Sequence, residues 1–447
     1  MDLVIRFNPD IEAVQRDGQR IALTVKDWKP IVFTARTPLL ADAIMALQGD
    51  GATRDRLAGL SGGDVAGVDY YLERFAFGRL LEWRAVEDGE ALATFIAQAN
   101  RIAPRGETTP AGPVRVSRFA LLRRDVAGAV LESGAVPCRV ALSERGAARC
   151  ATLFAREAVV DDAFAGILWR MGFMDRTDKA ESETRRTWEF HDLLMHQRSR
   201  MNRDATMLGG TYRFAEEFPS QPAVKPEMAG KRVALPEIDP DAIAASSQPL
   251  DRLIAARRSR RDYDDQPLAL ADLGTFLHRV CRTIDVLKDR RQDLLSRPYP
   301  AGGSINELEY YLAVRRCDGL DPGFYHYESL HHRLVRLAAP PATFDRIVTA
   351  SATSMGQPDK PGDVVVVIAS RFPRLAWKYE AMAYRATLMN AGVVFQTMYL
   401  VATDMGLAPC ANGSGDSRLF AAATGLDPFE ETSIAEFVLG RPAAPVR

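Results

Sequence analysis

Arg297-Pro298-Tyr299-Pro300-Ala301-Gly302-Gly303-Ser304 runs almost directly into a strand-like stretch, Leu308-Glu309-Tyr310-Tyr311-Leu312-Ala313-Val314. Two prolines fix φ, and two adjacent glycines let main chain approach a ligand that side chains would hold off. A hydroxyl follows one step later. A rigid, bare loop feeding a core strand suits a flat molecule lying against backbone. It also describes an ordinary turn before a buried strand, so its meaning depends on the segments around it.

The chain has 447 residues, of which 47% are hydrophobic. That is enough for two or three domains with real cores. Its net charge of −1 does not recruit nucleic acid or an anionic membrane. The five cysteines (Cys138, Cys150, Cys281, Cys317, Cys410) form no CxxC and no close pair, so neither a disulfide framework nor a zinc site is expected. The six histidines show no metal-binding spacing, and no metal is expected. The start, Met1-Asp2-Leu3-Val4-Ile5-Arg6-Phe7, lacks the basic and apolar regions of a signal peptide. No apolar run reaches the ~18 residues a membrane span needs. These features predict a cytoplasmic protein. No G-x-G-x-x-G or P-loop occurs, which gives no support to a Rossmann site or a nucleoside triphosphatase.

Three further segments carry chemistry. In Arg257-Arg258-Ser259-Arg260-Arg261-Asp262-Tyr263, Arg257, Ser259 and Arg261 alternate and can converge on one ligand where a helix ends. Guanidinium forks match phosphate bidentately. A basic helix end that complements the dipole is the competing reading. In Trp377-Lys378-Tyr379-Glu380, Lys378 is one of only 8 lysines among 57 basic residues. Arginine cannot release its proton in a protein, whereas a desolvated lysine can. Tyr379 beside it supplies a second proton-transfer group. The third segment, Gly406-Leu407-Ala408-Pro409-Cys410-Ala411-Asn412-Gly413-Ser414-Gly415-Asp416, has glycines that let backbone donors face a ligand.

Together these segments resemble the nitroreductase-type flavin fold, and within it the SagB-type dehydrogenases, which oxidise azoline rings of ribosomally made peptides to thiazoles and oxazoles. The resemblance runs from residue 187 to residue 442. It implies FMN as cofactor, with Arg257 on the phosphate, Ser259 on the pyrimidine edge and Arg261 near N1 and O2. It implies that Pro300, Gly302, Gly303 and Ser304 pack on the ring system, in a loop given by the other subunit of a homodimer. Asn306 stands where tyrosine or histidine is expected. Gln396, Ala411, Gly413, Ser414, Gly415 and Arg441 complete the implied cofactor contacts. Lys378 and Tyr379 are the implied catalytic pair. The implied partners are an azoline-containing precursor peptide and a cyclodehydratase. A nicotinamide-dependent nitro or quinone reductase, and a peptide-binding scaffold with a degenerate flavin domain, are the alternatives.

The expected fold class is α+β, a nitroreductase-like domain over 251–447 preceded by two small winged-helix-like modules at 1–100 and 117–180. The modules resemble leader-peptide recognition elements. In the first, strands at 3–7, 21–25 and 30–35 precede a helix opened by Thr37-Pro38, a second helix over 63–77, and strands at 80–86 and 91–96. The second repeats the pattern loosely, with Ser143 capping a helix to Phe154. The acidic residues Asp64, Asp69, Glu73, Asp161 and Asp162 on the helices argue against a DNA reader. A linker is expected at 101–116 and a helical, proline-rich connector at 181–250. Beyond it, a long helix is predicted over 374–404 and a continuous apolar strand over 363–370.

Overall fold

The computed structural model describes residues 1–100, 104, 112–200 and 209–443. The chain divides into two compact units, Met1–Thr206 and Met207–Arg447.

In the N-terminal unit, Thr37 accepts a hydrogen bond from the Leu40 N–H and Pro38 opens the helix Pro38–Met45. Helices Arg54–Leu60 and Val65–Phe77 follow, then the hairpin Leu81–Glu87 and Glu90–Ala97, which is the order of a winged helix. Tyr71 and Phe75 of the helix Val65–Phe77 cluster with Phe7 and Phe33, Phe7 meeting Phe75 edge-on. A strand that the sequence did not announce, Ile11–Asp17, pairs with Arg20–Val25. It is mostly exposed, so it carries no clear alternation of apolar and polar residues. The strand Glu90–Ala97 pairs in turn with Val136–Leu142 of the second expected module. One seven-stranded sheet therefore runs through both modules. Ser143 caps Glu144–Phe154 by accepting from the Gly146 N–H. Most of the expected linker, 101–103 and 105–111, lies outside the described residues, while Val114–Val116 is a strand paired with Met174–Arg176.

The C-terminal unit is built on an antiparallel seven-stranded sheet. Its order is Lys231–Ala234, Arg333–Leu337, Gly323–Glu328, Leu308–Val314, Val364–Ser370, Thr432–Gly440 and Ala408–Asn412. The two central strands are buried throughout, and alternate residues serve two cores. Leu308, Tyr310, Leu312, Val364, Val366 and Ile368 join the core that also holds helices Leu270–Cys281 and Ala383–Asp404. Tyr311, Ala313, Val365, Val367 and Ala369 join the opposite core with helices Pro341–Ser354 and Ser417–Thr424. The expected connector is not a separate body. Its helix Phe190–Arg198 falls in the first unit, and its strand Lys231–Ala234 is an edge of the second unit's sheet.

The helix predicted over 374–404 is instead broken in two. Phe372–Lys378 ends, Tyr379–Glu380 is extended and pairs with Gly209–Gly210, and Ala383–Asp404 begins afresh. Ala381 takes φ +58° between them.

Candidate active site

The break in the helix places the catalytic candidates. Lys378 is the last residue of Phe372–Lys378, and Tyr379 is already extended. Both are half-buried. The turn Gly302–Ser304 lies against them: the Lys378 Nζ is 3.5 Å from the Gly303 carbonyl oxygen. Gly303 has φ +58°, and a Cβ there would collide with the Tyr379 hydroxyl and stand 2.7 Å from the Lys378 Nζ. Only glycine leaves room for both side chains at this conformation. The turn and the lysine–tyrosine pair, 75 residues apart in sequence, form one cluster.

Buried polar residues fix that cluster. Asn390 accepts from the Gly302 N–H through Oδ1 (3.0 Å) and donates through Nδ2 to the Glu307 carboxyl (3.1 Å). Glu307 is fully buried, and burial pushes its carboxyl above the ordinary range. Arg374, one helical turn before Lys378, is also fully buried. It donates to the carbonyls of Ile305 and Asp293 (both 2.9 Å) and of Gln221 (2.8 Å). Positions i and i+4 share a helix face, so Arg374 and Lys378 meet the same loop on successive turns. At the loop's start Arg297 is buried and donates to the Cys281 carbonyl (3.0 Å), and the Tyr310 hydroxyl donates to that of Tyr299 (2.6 Å).

Asn306 has another task. It is buried, with φ +49°, and its amide donates to the Leu295 carbonyl. Its side chain pins the loop from inside rather than facing outward with Gly303 and Ser304. Pro300, Gly303 and Ser304 are exposed at the loop's outer side.

The arginine segment forms a second cluster. Arg257 ends the helix Leu250–Ala256, and its guanidinium carbon lies 5.2 Å from the centre of the Tyr399 ring. The Tyr399 hydroxyl meets Ser259 Oγ (2.7 Å) and accepts from the Ala411 N–H (2.8 Å). The Arg260 N–H donates to the Pro409 carbonyl (2.8 Å), which lays this segment along the strand Ala408–Asn412. Arg261 reaches the Cys410 thiol. The half-buried Arg257, the exposed Arg261 and a serine hydroxyl thus flank one backbone edge, a donor set able to hold one phosphate and a polar ring edge. Gly413, Ser414 and Gly415 follow as an exposed turn, with the Ser414 hydroxyl donating to Asn412 Oδ1 (2.8 Å). Arg441 is exposed and reaches Gln266 (3.4 Å) rather than the cluster around Tyr399.

The two clusters grip opposite edges of one helix. Asn390 and Tyr399 are nine residues apart on Ala383–Asp404, two and a half turns or about 14 Å along the axis. Along this stretch the helix exposes Met389, Gly392 and Gln396. Sequence reading singles out the lysine, the tyrosine, the arginines and the glycines as candidates. It passes over Tyr399, Asn390, Glu307 and Arg374, whose tertiary contacts no local pattern records.

Comparison with known proteins follows this division. The sequence model of the Nitroreductase family matches residues 254–441. Residues 254–441 form a nitroreductase-like domain. Upstream of this nitroreductase domain, the model for the cyanobactin oxidase ThcOx matches residues 114–205. The two matches in one chain bear out the resemblance to SagB-type dehydrogenases. The Trifolitoxin-processing protein TfxB of Rhizobium leguminosarum bv. trifolii is 28% identical over 149 residues, 33% of this chain and 40% of that protein. The chain thus spans less than half the length of TfxB. The nitroreductase-like protein MJ1384 of Methanocaldococcus jannaschii is 28% identical over 165 residues, 37% of this chain and 78% of that protein. Among solved structures, the Escherichia coli microcin synthetase McbBCD complex with truncated pro-MccB17 aligns at a TM-score of 0.35 and 19% identity, over 53% of this chain and 89% of that chain.

Among the described residues no three metal-binding side chains cluster, and no helix is long and apolar enough to cross a membrane. All five cysteines are buried.

Proposed function

We propose that this chain is an FMN-dependent dehydrogenase that converts azoline rings of a ribosomally made peptide to thiazoles or oxazoles. The meeting of Lys378 and Tyr379 at Gly303 carries this reading. Aromatising an azoline removes one proton and one hydride from ring carbons. Bound FMN supplies the two-electron acceptor. Lys378 and Tyr379 supply the proton acceptor, held at a glycine of the loop, where no side chain obstructs a flat substrate. Arg257 and Arg261 bind the cofactor's phosphate and the electron-rich edge of its ring, and Ser259 adds a hydrogen bond to that edge. A nicotinamide-dependent nitro or quinone reductase would leave the lysine–tyrosine pair without a task.

The separation of the two clusters across one helix fits a site completed by a second copy of the chain, whose glycine loop meets this chain's arginine segment. The substrate is an azoline-containing precursor peptide made by a cyclodehydratase, and the reaction is placed in the cytoplasm. The N-terminal unit, with two winged-helix-like halves, is assigned to the peptide or the cyclodehydratase.

The test is to purify the protein, identify any released flavin, and incubate it with a cyclodehydrated peptide. Loss of two hydrogens per ring by mass supports the reading. Bound FMN without any mass change on thiazoline or oxazoline peptides would remove it.

A further inference from the structure

The segment after residue 208 does more than join two parts of the chain. Gly209–Gly210 pairs with Tyr379–Glu380, and the Tyr212 N–H donates to the Lys378 carbonyl (3.2 Å). The Thr211 hydroxyl donates to the Glu380 carboxylate (3.0 Å). Tyr212 takes φ +54°, which turns its ring back over the lysine. The ring centre lies 5.7 Å from the Lys378 Nζ and packs edge-on against Trp377 at 5.8 Å. The Arg291 guanidinium lies 4.5 Å from the same ring.

We propose that Tyr212 is a positioning residue for Lys378, the face of its ring steadying at Gly303 the ammonium that forms as the lysine takes the substrate's proton. The proposal rests on the assignment of Lys378 to proton transfer. At 3.5 Å the Gly303 carbonyl is a weak tether for a flexible four-carbon side chain. An aromatic face within about 6 Å attracts a cation and narrows where it can sit. Arg291 is a second cation at the same ring, whose π-system attracts both charges. The Tyr379 ring, 5.4 Å from the Lys378 Nζ, flanks the amine as well, so loss of the Tyr212 ring leaves Lys378 with one aromatic wall instead of two.

The experiment compares Tyr212→Phe, which keeps the ring, with Tyr212→Leu, which keeps bulk but removes it. Two measurements are made on each flavin-loaded protein. One is turnover of a cyclodehydrated peptide, resolved into kcat and KM. The other is competitive acetylation, with Lys378 quantified against the remaining lysines by peptide mass spectrometry. Tyr212→Leu should lower kcat about 10-fold with KM and bound flavin unchanged. Its Lys378 should be acetylated several-fold faster, because a released amine is less shielded. Tyr212→Phe should match the parent in both. Equal acetylation and turnover in the parent and Tyr212→Leu overturns the proposal, and so does equal damage in Tyr212→Phe and Tyr212→Leu. If the parent itself leaves the peptide unchanged, the reading of the reaction fails. The acetylation ratio then still decides whether the ring holds the lysine.

Discussion

Gly303 shows why lysine and tyrosine are tolerated side by side in a half-buried corner: their reactive atoms share the space a side chain would have filled. Lys378→Ala and Tyr379→Phe should each slow azole formation by about 10²–10⁴ while keeping bound flavin. Lys378→Arg should not restore the rate, because guanidinium holds its proton. Steady-state turnover beside a visible spectrum checks this, and full turnover in Lys378→Ala would end the proton-transfer assignment. This pair was legible in the sequence, since lysine is scarce in a chain that otherwise favours arginine. Glu307 was not, because a carboxyl before an apolar strand reads as a surface residue. It is in fact fully buried, and burial keeps its carboxyl protonated above the ordinary range. Its folded pKa is the higher one. The stability it contributes is therefore complete below the unfolded value and is lost as pH rises through the folded value. Glu307→Gln should flatten that loss, giving a smaller drop in urea midpoint between about pH 4 and about pH 8 than the parent shows.

At the scale of elements, the broken helix is the main difference from expectation. Arg374 to Asn390 contains no proline or glycine, and its residues favour helix. The interruption comes from outside the segment, from the pairing with Gly209–Gly210, and no propensity within 374–404 encodes it. The apolar strands 308–314 and 364–370 were legible because strands buried on both faces read as unbroken apolar runs. The second half of the broken helix, Ala383–Asp404, carries Tyr399, whose hydroxyl joins Ser259 to the backbone of Ala411. Tyr399→Phe keeps the ring under Arg257 but removes both hydrogen bonds. Each such bond contributes about 1 kcal/mol, a factor of about 5, so flavin affinity should fall about 5- to 30-fold with little change in fold. Flavin titration by fluorescence quenching measures it, and unchanged affinity would show that the hydroxyl does not organise the cofactor segment.

For the whole molecule, the nitroreductase-like domain was recognisable from scattered motifs because each kept its local chemistry. The division into bodies was harder to read, because it depends on which strands pair. The two clusters on opposite edges of Ala383–Asp404 lead to a concentration effect. If a second copy completes each site, serial dilution should release flavin and lose activity together, at the concentration where sedimentation shows the dimer giving way to monomer. Flavin and activity retained in a monomer would mean that one chain suffices.

The sheet that crosses both N-terminal modules constrains how this protein can be cut or recombined. Phe95 stands opposite Val140, and Ala93 opposite Leu142. A fragment ending at residue 100 would present Glu90–Ala97 as a raw edge, with Leu92, Ala93 and Phe95 fully buried in the intact unit. Such an edge recruits other strands. The fragment should scatter light and self-associate, whereas a fragment ending near residue 200 should stay dispersed and unfold in one cooperative step. Grafting a foreign recognition module here would therefore mean matching a strand register as well as choosing a domain boundary.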